Sequence, residues 1–386
     1  MSSTKWVKRK LGDMVQFKTG KLNSNAASAD GLYPFFTCSR ETFRTDTYSF
    51  DTEAVLLAGN NASGVYPLKY FKGKFDAYQR TYVITTLDPD TITNRFLYYV
   101  LQPQLERLQT LSTGVATKFL TLTILKSLEV SIPPLHEQQR VTSILSAYDD
   151  LIENNTRRIE ILEEMARRLY EEWFVHFRFP GHEEVSFKES ELGRIPDEWG
   201  TEAATDAFKI KYGKTFPKKN LDPSGQYPVF GGGGVIGRCD QFNIDGPTTL
   251  ITSRGNGSGT VWRASEAGLV TNNAFTVMPK DSKLNTHYGY IEQVMLNASV
   301  MSVVGGAAQP QLTLDGLSGV RVMTPDPKVV DQFSLLVDPL YALVNRLQRK
   351  NANLRVQRDL LLPKLVSGEI DVSNISMPND KEVEAA

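Results

Sequence analysis

Residues Gly231–Arg238 read GGGGVIGR, a run that contains the glycine spacing of a dinucleotide-binding loop, G-x-G-x-x-G. Such a loop holds a pyrophosphate when a strand precedes it, a helix begins after it, and an acidic residue for the ribose follows about twenty positions later. The acidic residues Asp245 and Glu266 are too near and too far to take that role. The run is therefore a weak indication of a stand-alone enzyme with a nucleotide cofactor.

Other residue groupings that carry out chemistry are missing from the sequence. A methyltransferase that acts on base amino groups needs Asn or Asp before a Pro-Pro-aromatic sequence, and the nearest stretch, Ser131–Leu135, reads SIPPL. There is no G-x-x-x-x-G-K-[ST] loop for ATP and no carboxylate cluster typical of a nuclease. The histidines and the two cysteines, Cys38 and Cys239, lack metal-ligand spacing. We therefore expect no catalytic residue, no cofactor and no metal.

Charge is distributed unevenly along the chain, although the formal net charge is only -1. Residues 1–135 contain 16 Lys and Arg against 11 Asp and Glu, residues 136–191 contain 7 against 13, and residues 192–327 contain 12 against 12. The run Lys209–Lys219 has five lysines and no acidic residue. A basic first part and a basic local run suit an anionic partner, whereas the lysine run taken alone fits a solvated loop equally well.

The composition is that of a globular protein with two or three domains, since 386 residues with 41% hydrophobic side chains are enough for ordinary cores. No apolar run approaches the 18 residues or so of a membrane span, and the first residues, MSSTKWVKRK, lead into a polar segment. Two isolated cysteines fit a reducing compartment. We expect the protein in the cytoplasm.

The sequence repeats itself at an offset of about 193 residues. The matched stretches are Trp6 with Trp199, Gly31–Phe36 with Gly225–Phe230, and Leu120–Leu122 with Leu312–Leu314. A period this long indicates two copies of a domain rather than a solenoid. The first copy reads TCSRETFR where the second reads GGGGVIGR, so the glycine run is better interpreted as a variable, exposed loop of a shared scaffold.

Each copy begins with a globular part in which strands and helices alternate. Short β-rich runs bounded by turn residues predict strands at Ala54–Gly59, Thr81–Thr86, Thr248–Ser253 and Ala274–Met278. Helical patterns cover Phe96–Leu108 and His287–Leu296. The prediction is a mixed α/β domain, used twice.

Each copy ends with a long helical segment. The stretch Glu137–Phe174 has no Gly or Pro, and its apolar residues recur in steps of three and four, which is typical of a coiled-coil seam with one polar position. The expected seam and partner-docking residues are Ile144, Tyr148, Leu151, Asn155, Leu162 and Leu169 in the first helix and Leu340, Leu347 and Leu354 in the second. The polar position of the second helix is Lys350 or Asn351. The alternative is that each helix only covers its own domain.

Two Asp-Pro pairs predict where the second helical segment begins and bends. Asp326-Pro327 and Asp338-Pro339 both resemble a helix N-cap followed by proline at the first helical position. A helix should also break near Asp338, because the residue before proline avoids the α region. Two domain copies joined through paired equivalent helices have a pseudo-two-fold axis, which requires antiparallel helices. The predicted fold class is α+β, with two mixed α/β domains joined by a long antiparallel coiled coil.

Three stretches carry a family resemblance. Ile132–Asn155 (IPPLHEQQRVTSILSAYDDLIENN), Glu191–Trp199 (ELGRIPDEW) and Leu361–Val372 (LLPKLVSGEIDV) resemble the conserved regions of the specificity subunit of type I restriction-modification systems. The resemblance covers nearly the whole chain in the right order. It implies a non-catalytic protein that determines DNA sequence specificity, with helices that act as spacer and docking surface. The implied partners are double-stranded DNA, two methyltransferase subunits, and nuclease and translocase subunits in the full complex.

With this resemblance the expected domains follow. They are a first target-recognition domain over residues 1–135, a central helical spacer over 136–180, a second target-recognition domain over 190–326, a distal helical spacer with the conserved tail over 327–372, and a disordered tail over 373–386. Each recognition domain is expected to read one half of a split DNA sequence. A coiled-coil scaffold without DNA and the nucleotide-cofactor enzyme are the alternatives.

Polar glycine-rich turns at matching places of the two copies, GNNASG (Gly59–Gly64) and SRGNGSG (Ser253–Gly259), are candidates for DNA contact. Arginine bonds bidentately to guanine and Asn or Gln to adenine, so Arg254, Asn256, Asn60 and Asn61 are expected to read bases, although each suits an ordinary turn. The full set of expected DNA-binding residues is Lys18, Lys21, Arg40, Arg44, Asn60, Asn61, Ser63, Lys118, Lys211, Lys214, Lys218, Lys219, Arg238, Arg254, Asn256 and Ser258.

Overall fold

The computed structural model describes residues 6–61, 64–114, 118–280, 288–306, 309–373 and 375. They divide into two compact units. Unit 1 contains Met1–Glu153 together with Asn351–Ala386, and unit 2 is the single stretch Asn154–Lys350. Ser63, His287 and nearly all of the expected disordered tail lie outside the described residues.

Unit 1 is built on a sheet of six strands in the order β2-β8-β5-β7-β3-β4. Neighbouring strands are antiparallel except β7 and β3, and β1 pairs with β10 and β6 with β9 outside this sheet. The elements of unit 1 in chain order are β1 (Val7–Lys10), β2 (Val15–Thr19), β3 (Tyr33–Phe36), β4 (Thr42–Thr45), β5 (Phe50–Ala58), β6 (Asn60–Asn61), β7 (Leu68–Ala77), β8 (Thr81–Thr86), α1 (Asn94–Leu101), α2 (Leu105–Leu111), β9 (Lys118–Phe119), α3 (Leu122–Ser127), β10 (Glu129–Ile132) and the start of the long helix α4 (Leu135–Tyr170).

Unit 2 repeats this plan with its sheet divided in two. One sheet has the order β14-β20-β17-β18 and the other β16-β15-β19. The elements of unit 2 after α4 are β11 (Phe187–Ser190), β12 (Gly193–Pro196), β13 (Gly200–Ala203), α5 (Ala204–Ala207), β14 (Phe208–Tyr212), β15 (Tyr227–Phe230), β16 (Val235–Cys239), β17 (Thr248–Thr252), β18 (Val261–Ala264), β19 (Leu269–Val270), β20 (Ala274–Pro279), α6 (Tyr288–Asn297), α7 (Leu314–Ser318), β21 (Arg321–Thr324) and the start of the long helix α8 (Pro327–Ser367).

The duplication predicted from the sequence is confirmed element by element. Strands β2 and β14 begin at Val15 and Phe208, and β8 and β20 begin at Thr81 and Ala274, which is an offset of 193 in both cases. The single strand β7 of unit 1 corresponds to β18 and β19 of unit 2, with the turn around Gly268 between them. The predicted α+β class with two mixed domains and long helices is therefore confirmed.

Two glycines at matching places of the copies let a strand end in close contact with the backbone of a neighbouring loop. A Cβ on Gly20 would lie 1.8 Å from the carbonyl oxygen of Ala77, and a Cβ on Gly213 would lie 2.2 Å from that of Thr271. No side chain tolerates such distances to a backbone atom, so only glycine lets β2 or β14 end this close to the neighbouring loop. The two glycines are 193 positions apart and so occupy the same place in the two copies.

Each copy also begins the short helix before its last strand with the same cap. The Thr121 side chain accepts a hydrogen bond from the backbone N–H of Ile124, and the Thr313 side chain accepts one from that of Gly316. A threonine in this position satisfies one of the free N–H groups at a helix start. The repeated Leu-Thr-Leu stretch is therefore a capping signal in both units.

The two long helices are continuous over most of the predicted length. Helix α4 ends in a wider turn over Glu171–Val175, where His176 N–H donates to the carbonyl of Glu171 at 2.8 Å. Helix α8 begins at Pro327 as predicted, with the Asp326 carboxylate accepting from Lys328 N–H at 2.9 Å. Within the described residues, no helix combines the length and apolar character that crossing a bilayer requires.

The predicted break near Asp338 is wrong, because α8 runs through Pro339 without interruption. Proline removes the hydrogen bond to the carbonyl four residues earlier, which belongs to Leu335. Leu335 is 77% exposed and Pro339 is also exposed, so water can satisfy that carbonyl. The local preference against helix is offset by the packing of the opposite face, where Phe333, Val337 and Tyr341 are buried.

The long helices contact each other in opposite directions within each unit. In unit 1, Arg358 pairs with Asp149 at 2.7 Å and the Asn351 amide donates to the Ile152 carbonyl at 3.2 Å. In unit 2, the ring of Phe333 lies 6.2 Å from that of Tyr170, measured between centroids. Residue numbers rise along one helix as they fall along the other, as expected for antiparallel packing.

The predicted seam was displaced by one residue over much of α4. Leu151 is 46% exposed and Met165 is 50% exposed, whereas Ile152 and Ala166 beside them are buried. The buried residues of this helix and its continuation are Glu137, Gln138, Val141, Leu145, Ile152, Asn155, Ala166, Tyr170, Trp173 and Phe174. Ile144, Tyr148, Leu162, Leu169, Leu340 and Leu354 are half-buried, and Leu347 is buried. Of the two polar positions considered for α8, Asn351 is the buried one.

The displacement has a physical cause. Adjacent apolar pairs such as Leu151-Ile152 and Ile144-Leu145 allow two seam registers of equal apolar content. Val141 and Leu145 belong to the core of unit 1 together with residues of α1 and α8, so α4 covers its own globular part as well as its partner helix. The buried face of α4 contacts both the globular part and the partner helix. It therefore lies between the two seam registers.

Candidate nucleic-acid interface

Loops from five parts of unit 1 are bonded together at one end of its sheet. The carbonyl of Arg80 accepts from Gly59 N–H at 2.8 Å, and Gly59 O accepts from Leu120 N–H at 2.9 Å. The Cys38 thiol donates to Asn60 Oδ1 at 3.0 Å. We call this set the loop cluster of unit 1, and its described residues are Gly20–Leu22, Thr37–Arg40, Gly59–Asn61, Tyr78–Arg80 and Lys118–Phe119.

A half-buried tyrosine on β8 is bonded to the loop cluster. The Tyr82 hydroxyl donates to the Leu120 carbonyl at 2.8 Å, and burial raises the pKa of this phenol. The hydroxyl therefore stays protonated and keeps its donor role. A Cβ on Gly59 would lie 3.0 Å from the Tyr82 ring, so the position directly after β5 has no room for a side chain.

Unit 2 forms the corresponding cluster with the same backbone bonds. Ser253 N–H donates to the Asn273 carbonyl at 2.8 Å, and Leu312 N–H donates to the Ser253 carbonyl at 2.8 Å. The Thr252 hydroxyl donates to the Gly232 carbonyl at 2.7 Å and so attaches the glycine run. We call this set the loop cluster of unit 2, and its described residues are Gly213–Thr215, Gly231–Gly234, Ser253–Thr260, Thr271–Asn273, Gly305–Gly306 and Gln309–Gln311.

The loop cluster of unit 2 contains no acidic residue, and in unit 1 one exposed acid, Glu41, directly follows Arg40 at the end of the same loop. The polar side chains of both clusters are Lys, Arg, Asn, Gln, Ser, Thr, Tyr and Cys. Cations without nearby carboxylates attract phosphates, and amide and guanidinium groups match the edges of bases. The chemical character of both clusters therefore suits a nucleic acid.

The glycine run is a hairpin turn and lacks the context of a dinucleotide loop. Gly231–Gly234 connects β15 to β16, and Gly231 N–H donates to the Gly234 carbonyl at 2.8 Å. A strand follows the glycines, so no helix N-terminus is present to receive a pyrophosphate. Gly234 has a φ of 146°, a backbone conformation that other residues rarely adopt. The interpretation as an exposed loop of a shared scaffold agrees with this position.

Several predicted cations lie in or beside the loop clusters. Lys21, Arg40 and Lys118 belong to the cluster of unit 1, and Lys214 belongs to that of unit 2. The remaining predicted lysines are exposed on neighbouring elements, namely Lys18 on β2, Lys211 on β14, and Lys218 and Lys219 in a single-turn 3₁₀ helix. Arg254 and Asn256 are exposed in the cluster of unit 2.

Three other predicted residues have internal roles. The Arg44 guanidinium donates to the carbonyl oxygens of Gly31 and Leu32, and the Arg238 guanidinium donates to those of Gly225 and Gln226. These two arginines fix the same turn in each copy.

Ser258 is buried, and its hydroxyl donates to the Pro310 carbonyl at 2.7 Å. Asn60 and Asn61 are half-buried and bonded within unit 1. We leave Arg44, Arg238 and Ser258 out of the interface proposed below, because their polar groups hold the scaffold.

Sequence reasoning missed three exposed residues of the clusters. Arg80 precedes β8 and lies with its guanidinium carbon 6.0 Å from the ring centroid of Phe119. Asn273 occupies the place of Arg80 in unit 2, and Gln311 occupies the place of Phe119. The signal was available in the duplication, since a polar residue precedes the same strand in both copies.

The family of the chain is indicated by a domain match that occurs twice. Residues 3–164 and 196–351 match the family model described as the type I restriction modification DNA specificity domain. The chain is 31% identical over 235 residues to the type I restriction enzyme EcoDI specificity subunit of Escherichia coli, covering 55% of this chain and 52% of that protein. The match therefore spans about half the length of this relative.

Two further comparisons extend over more of the chain. Identity is 26% over 308 residues to the type I restriction enzyme MjaIX specificity subunit of Methanocaldococcus jannaschii, covering 74% of this chain and 71% of that protein. The fold is similar to a crystal structure of the S subunit of a type I restriction-modification system from M. genitalium, with a TM-score of 0.64, 20% identity, and coverage of 95% of this chain and 97% of that chain. Because the family match covers most of the sequence in two copies, this chain belongs to the family of type I restriction-modification DNA specificity subunits.

Proposed function

We propose that the chain reads a two-part sequence on double-stranded DNA, with each unit reading one half through its loop cluster. The observation that carries this proposal is the repetition in both units of one bonded set of loops whose side chains are mainly cations, amides and hydroxyls. Lys21, Lys118 and Lys214 contact phosphates, which gives affinity without sequence preference. Exposed Arg, Asn and Gln side chains of the loops contact base edges.

The chain itself transfers no methyl group and cleaves no DNA in this proposal. It contains no Asn/Asp-Pro-Pro-aromatic motif and no phosphate-binding loop for ATP. Methyl transfer, translocation and cleavage then come from two methyltransferase subunits and from nuclease and translocase subunits. The place of action is the cytoplasm, where these partners meet DNA.

The helices are proposed to set the spacer between the two read halves and to receive the methyltransferase subunits. Apolar side chains remain exposed on them, and they are Leu151, Ile161 and Met165 on α4 and Leu335, Leu336, Val356 and Leu360 on α8. Exposed apolar stripes on helices are typical of surfaces that bind further helices. The excess of acidic residues over 136–191 keeps this part from competing for phosphates.

A domain exchange tests the proposal. Residues 200–320 are replaced by the equivalent region of a relative with a different target, and methylated positions are mapped with the methyltransferase subunits present. We expect one half of the two-part motif to change and the other half, with the spacer, to stay the same. A matched exchange of the corresponding region of unit 1 should change the other half only. If one exchange altered both halves, the units would not be independent readers.

A further inference from the structure

We propose that Arg80 reads a guanine in the half-site bound by unit 1, and that unit 2 has no counterpart of this contact. The inference rests on the proposed function and assigns one base type to one residue. Arg80 lies between β7 and β8, inside the loop cluster of unit 1. Its side chain is exposed.

The backbone of Arg80 is fixed by the loop that contains Gly59 and by its own turn. Its carbonyl accepts from Gly59 N–H at 2.8 Å, and the Cys38 sulfur, whose S–H is donated to Asn60 Oδ1, lies 3.4 Å from it. The turn is closed by a bond from Thr81 N–H to the Tyr78 carbonyl at 2.8 Å. A side chain that begins at a fixed Cα explores less space than one on a free loop, which suits a base contact.

The guanidinium of Arg80 lies beside an aromatic ring, and its N–H groups are available for a ligand. The Phe119 ring lies 6.0 Å from the guanidinium carbon and is itself attached to the cluster, since Phe119 pairs with Asn60. A cation–π contact at this distance uses none of the guanidinium N–H groups. Among the described residues no carboxylate or carbonyl bonds the Arg80 guanidinium, in contrast to Arg44, which is committed to two carbonyls.

This combination matches the requirements of guanine recognition. Two parallel N–H donors from one arginine reach O6 and N7 of guanine in the major groove, and no other base offers two acceptors there. Unit 2 keeps the backbone bond, Ser253 N–H to the Asn273 carbonyl, but places Asn273 and Gln311 where unit 1 has Arg80 and Phe119. Amides prefer adenine, so the two halves differ at this position.

The test uses the full complex of this chain with its methyltransferase subunits. After the target is mapped, each base pair of both halves is varied in a set of duplexes, and binding is measured for the wild type, Arg80→Ala and Arg80→Lys. Arg9→Ala on β1 serves as the control, because it removes the same exposed charge outside the loop cluster. We expect Arg80→Ala to lower discrimination at one G·C pair of one half by roughly 5- to 150-fold, since a bidentate contact is worth about 1–3 kcal/mol. Arg80→Lys should lose part of it and Arg9→Ala none.

Two results would overturn the inference while leaving the proposed function intact. Unchanged discrimination at every G·C pair would show that Arg80 reads no guanine. An equal loss of affinity for all duplexes, with a salt dependence weaker by about one phosphate contact, would assign Arg80 to the backbone. Phe119→Leu adds a second measurement, since losing the ring should weaken binding but keep the preference for guanine. Failure of the proposed function has a different signature, because the wild-type complex would then show no two-part motif.

Discussion

The two units hold their helices by different chemistry at matching places. In unit 1, the Tyr99 hydroxyl donates to Asp149 at 2.6 Å, and Arg358 pairs with the same carboxylate. In unit 2, the Gln293 amide donates to the hydroxyl of Tyr341 at 2.7 Å, so a neutral pair stands where unit 1 has a charged one. The duplication preserved the backbone arrangement and let the side chains change.

The ion pair of unit 2 is more deeply buried than that of unit 1, and it lies on different elements. Arg263 on β18 has a side chain only 6% exposed, bonds Glu292 at 2.9 Å, and lies over the Tyr341 ring at 4.1 Å. Burial raises the pKa of the Glu292 carboxyl in spite of the arginine beside it. Equivalent positions therefore keep their geometric role of joining sheet and helix. The burial of the ion pair differs between the copies.

The largest expected effect comes from removing the buried arginine. Arg263→Met leaves Glu292 buried without its cation, and breaking a buried pair from one side costs about 3–5 kcal/mol. Glu163, the second acidic neighbour, has a side chain 45% exposed and lies 3.6 Å from the guanidinium, so it contributes less than Glu292. Arg358→Met in unit 1 exposes a more accessible carboxylate and should cost about 1–2 kcal/mol.

Denaturant unfolding of the two variants measures this difference. The double variant Arg263→Met with Glu292→Leu is the control, and it should recover much of the loss, because no unpaired charge stays buried. Equal destabilisation by Arg263→Met and Arg358→Met would contradict the distinction between a deep and a shallow ion pair.

An intermediate effect tests what the units share. Gly20→Ala and Gly213→Ala force a Cβ against a backbone carbonyl in each unit, and each should lower the free energy of unfolding by about 3 kcal/mol, as overpacking does. Gly233→Ala is the matched control, because nothing lies within 4 Å of its Cβ position. Thermal unfolding gives the comparison. A substitution tolerated at Gly20 but not at Gly213 would mean that the two units do not share this close approach of strand and loop.

The smallest effect concerns pH and belongs to unit 2 alone. Burial raises the pKa of Asp338 from 3.8 to about 6, whereas the matching position of unit 1 is Ser146. The folded state then binds more protons than the unfolded state between about pH 4 and pH 6, so stability falls as pH rises through this range. Asp338→Asn removes the effect and should stabilise by about 1.5 kcal/mol at pH 7.5, a figure lowered for solvent screening, and by nothing at pH 4.

Unfolding at a series of pH values compares this variant with the wild type. Ser146→Ala should leave the pH dependence unchanged. If Asp338→Asn showed the wild-type slope between pH 4 and pH 6, the titrating group would lie elsewhere.

Much of the scaffold could be predicted from sequence, because repeated local signals agree with the fold. Thr81–Thr86 forms a strand with the predicted bounds, and Asp326-Pro327 begins α8 as expected. The failure at Asp338 arose because a local preference was read without the apolar face that holds the helix together. The displaced seam arose because neighbouring apolar pairs make two registers alike.

The arrangement of the loop clusters was predicted less well than the scaffold. Lysines of the loops were found because a cation without nearby acid is visible in one dimension. Arg44 and Arg238 donate to backbone carbonyls, and Ser258 is buried. These roles depend on which loops are in contact, and sequence spacing does not show those contacts. Arg80 was overlooked for the same reason, since its significance lies in the Phe119 ring, 39 positions away along the chain.

The division of the units along the chain has a consequence for synthesis. Unit 2 is one uninterrupted stretch, but unit 1 needs residues from Asn351 onward, where Leu362, Leu365 and Val366 join its core. A ribosome adds about 5–20 residues per second, so the apolar core of unit 1 waits roughly 10–40 s between the exit of Glu153 and that of Asn351. The first unit to emerge is therefore the last to close, and its apolar surface stays exposed during this interval. A premature stop codon before Asn351 would leave the later unit intact and the earlier one unfinished.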